Sequence, residues 1–487
     1  MRRGPSAQRL EKAAVRAAEV LFVLSLLVTA AAAPARSGPG ARGDGGGLQL
    51  PRPEKIVLSN GMVVFHRKNS DLPIVSFHMM IKGAGVAHEP AELEGIADLT
   101  AQLMLKGAAG MGAEAVAEAL DFMGADLEIM GADEYLLIRA ESLTEHFPEV
   151  LGITSKCLMK PAFAGEEFSK LKARRIDGLK AVKDEPYSAV RLYFRKAYFE
   201  SHPMAHLSTG TETSLKRMKL EDVKAFYEKY VRPGRAIAAV VGDIDETSLL
   251  KLLEAGLGQW KNAASPAAEV RLPPFPRASG KKLVLVDKPD ATQAYFMLGA
   301  PGYAKGDEVT PQAEVINTLW GGRFTSWFNT ELRIKRGLTY GARSRFQEWA
   351  RDGLFSAASY TKNDKIGEML DITLELLKKA RREGFAAEEI ESARNYIRGQ
   401  FPPELETNAR QAQAYAELAF YGLDFNYYAE YLAAIRAVTR ESAVRAAVRL
   451  IPENDFVLVV VGKAGEIRPQ LRKYGEWQEK KITDRDF

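Results

Sequence analysis

The sequence predicts an α+β protein made of two homologous domains, each a mixed sheet with helices on one face. The apolar run Ala236–Gly242 has a counterpart in Phe456–Gly462, which begins 220 residues later. The helix start Phe163–Phe168 (FAGEEF) has a counterpart in Phe385–Ile390 (FAAEEI), 222 residues later. Because two independent landmarks share nearly one offset, we expect a duplicated unit of about 200 residues.

Within each half, strand and helix patterns alternate, which indicates a mixed sheet covered by helices. A hairpin is predicted to turn at Asn60-Gly61, since this dipeptide suits a tight turn between two strands. Further strands are predicted at 74–81, 127–130 and 135–140, and helices at 91–106, 113–123, 144–159, 166–182 and 219–230. The pattern repeats from Lys282.

The ends and the middle of the chain divide it into segments. Residues 1–32 join a basic start, an apolar stretch and a run of alanines, a pattern typical of a secretory signal peptide, so we expect export to the periplasm, with an uncleaved membrane anchor as the alternative. We assign 33–50 to a flexible lead-in, 51–262 to the first domain, 263–280 to a Pro-rich linker, 281–475 to the second domain and 476–487 to a tail. No stretch of the mature chain is long and apolar enough to span a bilayer.

Composition narrows the possible functions. The net charge is only +4, without a long basic run beyond the extreme N-terminus, which argues against a nucleic-acid partner. A single cysteine, Cys157, excludes an intrachain disulfide and a cysteine-based zinc site. We expect Cys157 to be a buried structural thiol.

The segment 91–106 has the form of a metal-binding helix without its ligands. Positions 98 and 102 lie on one helix face, where two histidines would bind zinc beside a general base at position 101. The residues present are Asp98, Ala101 and Gln102. Asp98 alone could ligate a metal, while Gln102 is a poor ligand and Ala101 cannot transfer a proton. We predict no metal in this chain.

The sequence around these positions resembles that of the M16 (insulinase, pitrilysin, processing-peptidase) family of metallopeptidases. Gly83-Ala84-Gly85, Gly95-Ile96-Ala97 and Leu105-Lys106-Gly107 carry the resemblance, together with Tyr198–Pro203 and Thr209–Glu212. Active members have His-x-x-Glu-His on this helix and a third ligand, a Glu, on a later one. That later region reads Arg174 to Leu179, with Asp177 as the nearest acid. All metal and base positions therefore depart from the family pattern.

A second motif of the family is retained in the other half. Arg333 is followed seven residues later by Tyr340. We expect Arg333 near a helix end, with Gly337 beyond it, and Tyr340 on the next strand. The resemblance implies that Arg333 holds a substrate carbonyl and Tyr340 donates to the developing oxyanion, both in trans. Spacing alone favours a different interpretation, in which Arg333 is a solvated cation at a helix end and Tyr340 a half-buried aromatic on a strand; the resemblance of the whole domain reverses this preference.

The leading hypothesis is a non-zinc subunit of an exported heteromeric M16 metallopeptidase that cleaves peptides. A partner with His-x-x-Glu-His would supply the zinc, in a heterodimer or heterotetramer. One alternative is an inactive structural or peptide-binding homologue without a role in proteolysis. Another is a hydrolase that uses Asp98 or Asp177 without zinc or with a different metal.

Overall fold

The computed structural model describes residues 50–261 and 272–487. The predicted signal peptide (1–32), nearly all of the lead-in (33–50) and much of the linker (263–280) lie outside these residues. Residues 272–280 form no helix or strand, and Phe275 among them is buried against Phe199 and Trp349.

Within residues 50–261 and 272–487, the strands form two six-stranded sheets and one small hairpin. In chain order they are β1 (Glu54–Val57), β2 (Val63–Lys68), β3 (Ile74–Lys82), β4 (Gly107–Ala108), β5 (Met111–Gly112), β6 (Asp126–Gly131), β7 (Tyr135–Leu143), β8 (Ala236–Gly242), β9 (Lys281–Asp287), β10 (Gln293–Pro301), β11 (Ala342–Glu348), β12 (Gly353–Lys362), β13 (Phe456–Gly462) and β14 (Gln478–Lys481). The first sheet has the order β1-β2-β8-β3-β7-β6 and the second β14-β9-β13-β10-β12-β11.

Helices connect these strands. They are α1 (Ile96–Met104), α2 (Ala113–Phe122), α3 (Phe147–Met159), α4 (Gly165–Asp184), α5 (Pro186–Phe199), α6 (Glu212–Arg217), α7 (Leu220–Tyr230), α8 (Glu246–Ala255), α9 (Thr310–Asn317), α10 (Trp327–Asn329), α11 (Ile366–Arg382), α12 (Ala387–Gln400), α13 (Asn408–Tyr421), α14 (Tyr427–Ala437), α15 (Arg440–Leu450) and α16 (Ala464–Leu471). Among the described residues, none of these helices has the length and apolarity to cross a membrane.

The predicted duplication is confirmed by the topology. In both sheets the first long strand pairs in parallel with the last long strand: β2 with β8, and β9 with β13. The strands beyond this pair follow in the same order in both sheets. The outer edges differ. In the first sheet the hairpin strand β1 covers β2, whereas in the second sheet β14, from the segment predicted as a tail, pairs with β9.

The two halves exchange one helix each, which the sequence does not predict. Helix α5 of the first half packs on β10 and β13 of the second sheet, and helix α13 of the second half packs on β3 and β8 of the first. Each sheet therefore has its own helices on one face and a helix of the other half on the opposite face. The central strands are apolar on both faces for this reason: along β8, Ala238 and Val240 face one core while Ala239 and Val241 face another.

The thiol of Cys157 is buried on α3, as expected, and burial raises its pKa to about 11.

Candidate functional site

The helix with the degenerate metal motif is shorter than predicted. Helix α1 runs from Ile96 to Met104, and Ala91–Leu93 forms a separate 3-10 turn. Gly95 separates them in the left-handed region (φ 92°), which residues with a side chain rarely adopt. The buried carboxylate of Glu89 accepts hydrogen bonds from the amides of Gly95 (2.9 Å) and Ala97 (2.8 Å) at the start of α1. Burial raises the pKa of Glu89 to about 7 despite these bonds.

An ion pair occupies the position of the missing metal site. The carboxylate of Asp98 accepts hydrogen bonds from the Arg175 guanidinium on α4, from the Gly131 amide (2.9 Å) and from the Gln102 amide group (3.1 Å). The side chains of Arg175 and Asp98 are 10% and 15% exposed. Arg175 also donates to the carbonyl of Ser208 at 3.0 Å.

These residues do not fit a zinc ion. The one carboxylate that could bind it, Asp98, is neutralised by a guanidinium, and Gln102 turns its NH₂ group toward that carboxylate. Ala101 is fully buried and has no group that could move a proton. A cation in this place would meet the fixed positive charge of Arg175.

The other candidate ligands are dispersed. Asp177 points into solvent, with a side chain 76% exposed, and pairs with Lys180 at 3.3 Å. His202 accepts from the Met204 amide (3.0 Å) and its other nitrogen lies 3.0 Å from the Pro273 carbonyl, a loop-packing role. Across residues 50–261 and 272–487, no group of three His, Cys, Asp or Glu side chains could hold a metal. The hydrolase alternative based on Asp98 or Asp177 has no support here.

Arg333 lies in an unusual helix end. Helix α10 begins at Trp327, is capped by the side chain of the preceding Ser326, and continues as a π-helix over Thr330–Lys335. Gly337 (φ 61°) ends this helix, and the Leu338 amide donates to the Leu332 carbonyl at 2.8 Å. The Arg333 guanidinium lies over the Phe324 ring, 4.8 Å from its centroid. Within the described chain, it makes no hydrogen bond or ion pair with another side chain.

Tyr340 lies on a turn rather than on the strand, since β11 begins two residues later at Ala342. The side chain is 80% exposed. The turn is fixed by its neighbours: the Thr339 hydroxyl accepts from the Gly341 amide (3.2 Å), and the Ser359 hydroxyl donates to the Gly341 carbonyl (2.9 Å). Tyr340 is thus an exposed phenol on an anchored turn. Neither Tyr340 nor Arg333 lines the two cavities that lie between the halves.

The sequence did not point to the larger of those cavities, which measures 560 Å³. Glu134, Arg235 and His88 of the first half line it together with Trp349 and Tyr421 of the second. Burial raises the pKa of Glu134 to about 7, although its carboxylate accepts from the Ala350 amide at 3.1 Å. Burial and the charge of Arg235 lower the pKa of His88 to about 4.

Comparisons with known proteins identify the family to which the two halves are similar. Residues 63–212 match the family model described as insulinase (peptidase family M16), and residues 217–397 match the one described as peptidase M16 inactive domain. Similar proteins include the Bacillus subtilis uncharacterized zinc protease YmxG (24% identical, covering 74% of this chain and 86% of that protein). Another is the Helicobacter pylori non-peptidase homolog YmxG (25% identical, covering 75% and 83%).

Solved structures share the fold. A peptidase M16 inactive domain from Pseudomonas fluorescens superposes with a TM-score of 0.78 at 22% identity, covering 84% of this chain and 98% of that one. A protease from Helicobacter pylori gives 0.79 at 19% identity, covering 85% and 100%. The two family models together span most of the described residues. The chain therefore belongs to peptidase family M16.

Proposed function

We propose that this protein is the non-zinc subunit of an exported heteromeric M16 metallopeptidase and supplies Arg333 and Tyr340 to a partner subunit. The partner carries His-x-x-Glu-His, binds the zinc and provides the general base. The substrates are peptides or unfolded segments. Export rests on the pattern of residues 1–32.

The contrast between the two halves carries this proposal. The metal position of the first half is closed by the Arg175–Asp98 pair. The retained motif of the second half is presented outward: Tyr340 is 80% exposed on an anchored turn, and the Arg333 guanidinium rests on a ring instead of an acid. The guanidinium of Arg333 can bind a carbonyl, and the phenol of Tyr340 can donate to an oxyanion. Both acceptors would come from a molecule other than this chain.

The chemistry assigned to each residue follows from its donors. Arg333 binds a backbone carbonyl of the peptide through its planar fork of N–H groups. The hydroxyl of Tyr340 donates to the oxygen that becomes negatively charged when the peptide bond is attacked. Removal of one such donor slows comparable reactions by roughly 10²–10³-fold.

The experiment combines the mature chain with a His-x-x-Glu-His homologue from the same genome. Bound zinc and cleavage of an unstructured peptide are measured for each chain alone and for the mixture. We expect no stoichiometric zinc and no cleavage from this chain alone, and cleavage from the mixture. Tyr340→Phe should lower kcat of the complex roughly 10²-fold, and Arg333→Ala should lower kcat/KM.

Two control variants test the assignment. Arg336→Ala removes a neighbouring cation that faces Glu331 and Glu368, and Tyr396→Phe removes an exposed phenol elsewhere. Both should leave cleavage unchanged. Zinc and activity in the isolated chain would contradict the proposal. Full activity of the complex with Arg333→Ala and Tyr340→Phe would favour the alternative, an inactive structural or peptide-binding homologue. The Helicobacter pylori relative is itself named a non-peptidase homolog.

A further inference from the structure

A second cavity, of 200 Å³, lies where helix α5 of the first half covers the second sheet. Arg191 and Arg195 of α5 form one wall, and Arg345 and Gln347 of β11 form the opposite wall. Ser208, in the loop after α5, closes one side. Because α5 and β11 belong to different halves, the exchange of helices creates this cavity.

The charges in the cavity do not balance. Asp133 is the one carboxylate among its lining residues, and three donors already occupy it: Arg195 (2.7 Å), the Trp349 indole (2.9 Å) and the Gln347 amide (3.4 Å). Arg195 also donates to the His206 carbonyl at 2.9 Å. Arg195 and Asp133 therefore neutralise each other.

The side chains of Arg191 and Arg345 are exposed to solvent. Within the described residues, neither forms an ion pair, and Arg345 makes only a long hydrogen bond to Gln347 (3.4 Å). The Arg345 side chain reaches solvent inside a concave wall. Desolvation, and then the charge of Arg191, lower the pKa of Arg345 below the usual value, while Tyr187 and Asp133 act in the opposite direction. Two cations that repel each other in a recess favour the binding of an anion.

The surroundings of the two arginines indicate which anion fits. Apolar side chains share the lining, among them Leu192, Phe194 and Leu354, and these suit the carbon skeleton of a peptide rather than an isolated inorganic ion. Arg345 lies on β11, an edge strand of the second sheet, which can pair with an extended peptide. It follows Tyr340 by five residues.

We propose that this cavity binds a carboxylate of a peptide, so that the chain binds carboxylate-bearing peptides more tightly than neutral ones. Arg191 and Arg345 hold the carboxylate through their guanidinium forks, and the apolar wall takes the adjoining carbon atoms. The carboxylate belongs to an acidic side chain or to the peptide C-terminus. Calling the peptide a substrate rests on the proposed function, whereas its binding does not.

The test measures peptide binding to the isolated chain by fluorescence anisotropy. Three versions of one short unstructured labelled peptide are compared: with glutamates and an amidated C-terminus, with glutamines and an amidated C-terminus, and with glutamines and a free C-terminus. The variant Arg191→Gln/Arg345→Gln is compared with Arg445→Gln/Arg472→Gln, which removes the same charge from exposed sites outside the cavity lining. Unchanged melting temperatures will show that both variants are folded.

We expect at least one carboxylate-bearing peptide to bind the wild-type chain about tenfold or more tightly than the neutral one, and salt to reduce this preference. The comparison of the glutamate peptide with the free C-terminus identifies the source of the carboxylate. The cavity variant should lose the preference and the control variant should keep it. Equal affinity for all three peptides, or an undiminished preference in the cavity variant, would overturn the proposal.

The outcome is separable from the proposed function. If the chain takes no part in proteolysis, the carboxylate preference of the isolated chain still stands. If the cavity proposal fails, the complex with a zinc-bearing partner should still cleave the neutral peptide and still depend on Tyr340.

Discussion

The ion pair at the former metal position should be strongly coupled, because it is nearly buried. Arg175→Ala leaves the carboxylate of Asp98 without its cation in a site where the two side chains are 10% and 15% exposed. Removing one member of a buried pair costs about 3–5 kcal/mol. Asp98 keeps the Gly131 amide (2.9 Å) and the Gln102 amide (3.1 Å), so we expect the lower end, about 3 kcal/mol.

A double-mutant cycle isolates the interaction. The free energies of unfolding of the wild type, Arg175→Ala, Asp98→Ala and the double variant are measured in urea, with circular dichroism and tryptophan fluorescence required to give coincident transitions. The double variant no longer buries an unpaired carboxylate. We therefore expect it to be more stable than the sum of the single losses implies, with a coupling energy of about 2 kcal/mol.

The exposed pair Asp177–Lys180, also on α4, serves as the matched control. Its side chains are 76% and 67% exposed at a distance of 3.3 Å, and such pairs contribute about 0–1 kcal/mol. A coupling between Arg175 and Asp98 no larger than that of this control would refute the claim that a buried ion pair closes the metal position.

Two further predictions concern the former metal position and Glu134 in the larger cavity. Restoring the motif with Asp98→His, Ala101→Glu and Gln102→His should not give stoichiometric zinc by mass spectrometry while Arg175 is present. Adding Arg175→Glu should allow zinc to bind, because a carboxylate then replaces a fixed positive charge in reach of α1. Tight zinc binding with Arg175 in place would contradict this prediction. Glu134, whose pKa rises to about 7 from 4.5, binds more protons in the folded than in the unfolded chain between these pH values, so it makes the protein less stable as pH rises through that window, by about 3 kcal/mol in all. Glu134→Gln should remove this part of the pH dependence in urea unfolding measured at pH 5 and pH 8; an unchanged difference between the two pH values would contradict it.

The duplication could be predicted because local sequence patterns of one half recur in the other half. The strands Ala236–Gly242 and Phe456–Gly462 repeat both their length and their nearly continuous burial. The exchange of α5 and α13 could not, since an apolar helix face does not reveal which sheet it covers. The strand β8, apolar at successive positions, did carry a signal: it needs cover on both faces, and its own half supplies only one.

The sequence predicts the features of the candidate site that depend on residue type alone. It does not predict the features that depend on which side chains meet in the folded chain. Asp98, Ala101 and Gln102 show by identity alone that the zinc ligands and the base are absent. The sequence does not show what replaced them, because Arg175 lies on another helix, 77 residues from Asp98. Asp177 is the nearest acid in the sequence, but it lies on the solvent-exposed face of α4, whereas Arg175 faces α1.

Arg175 connects the closed metal position to the second cavity. Its guanidinium holds the carbonyl of Ser208 at 3.0 Å while it pairs with Asp98, and Ser208 lines the cavity that contains Arg191 and Arg345. The same side chain therefore excludes the metal and shapes a wall of the cavity. On this account the replacement of the zinc ligands supports peptide binding in the cavity, and Arg175→Ala should weaken the preference for a carboxylate as well as the fold of α1.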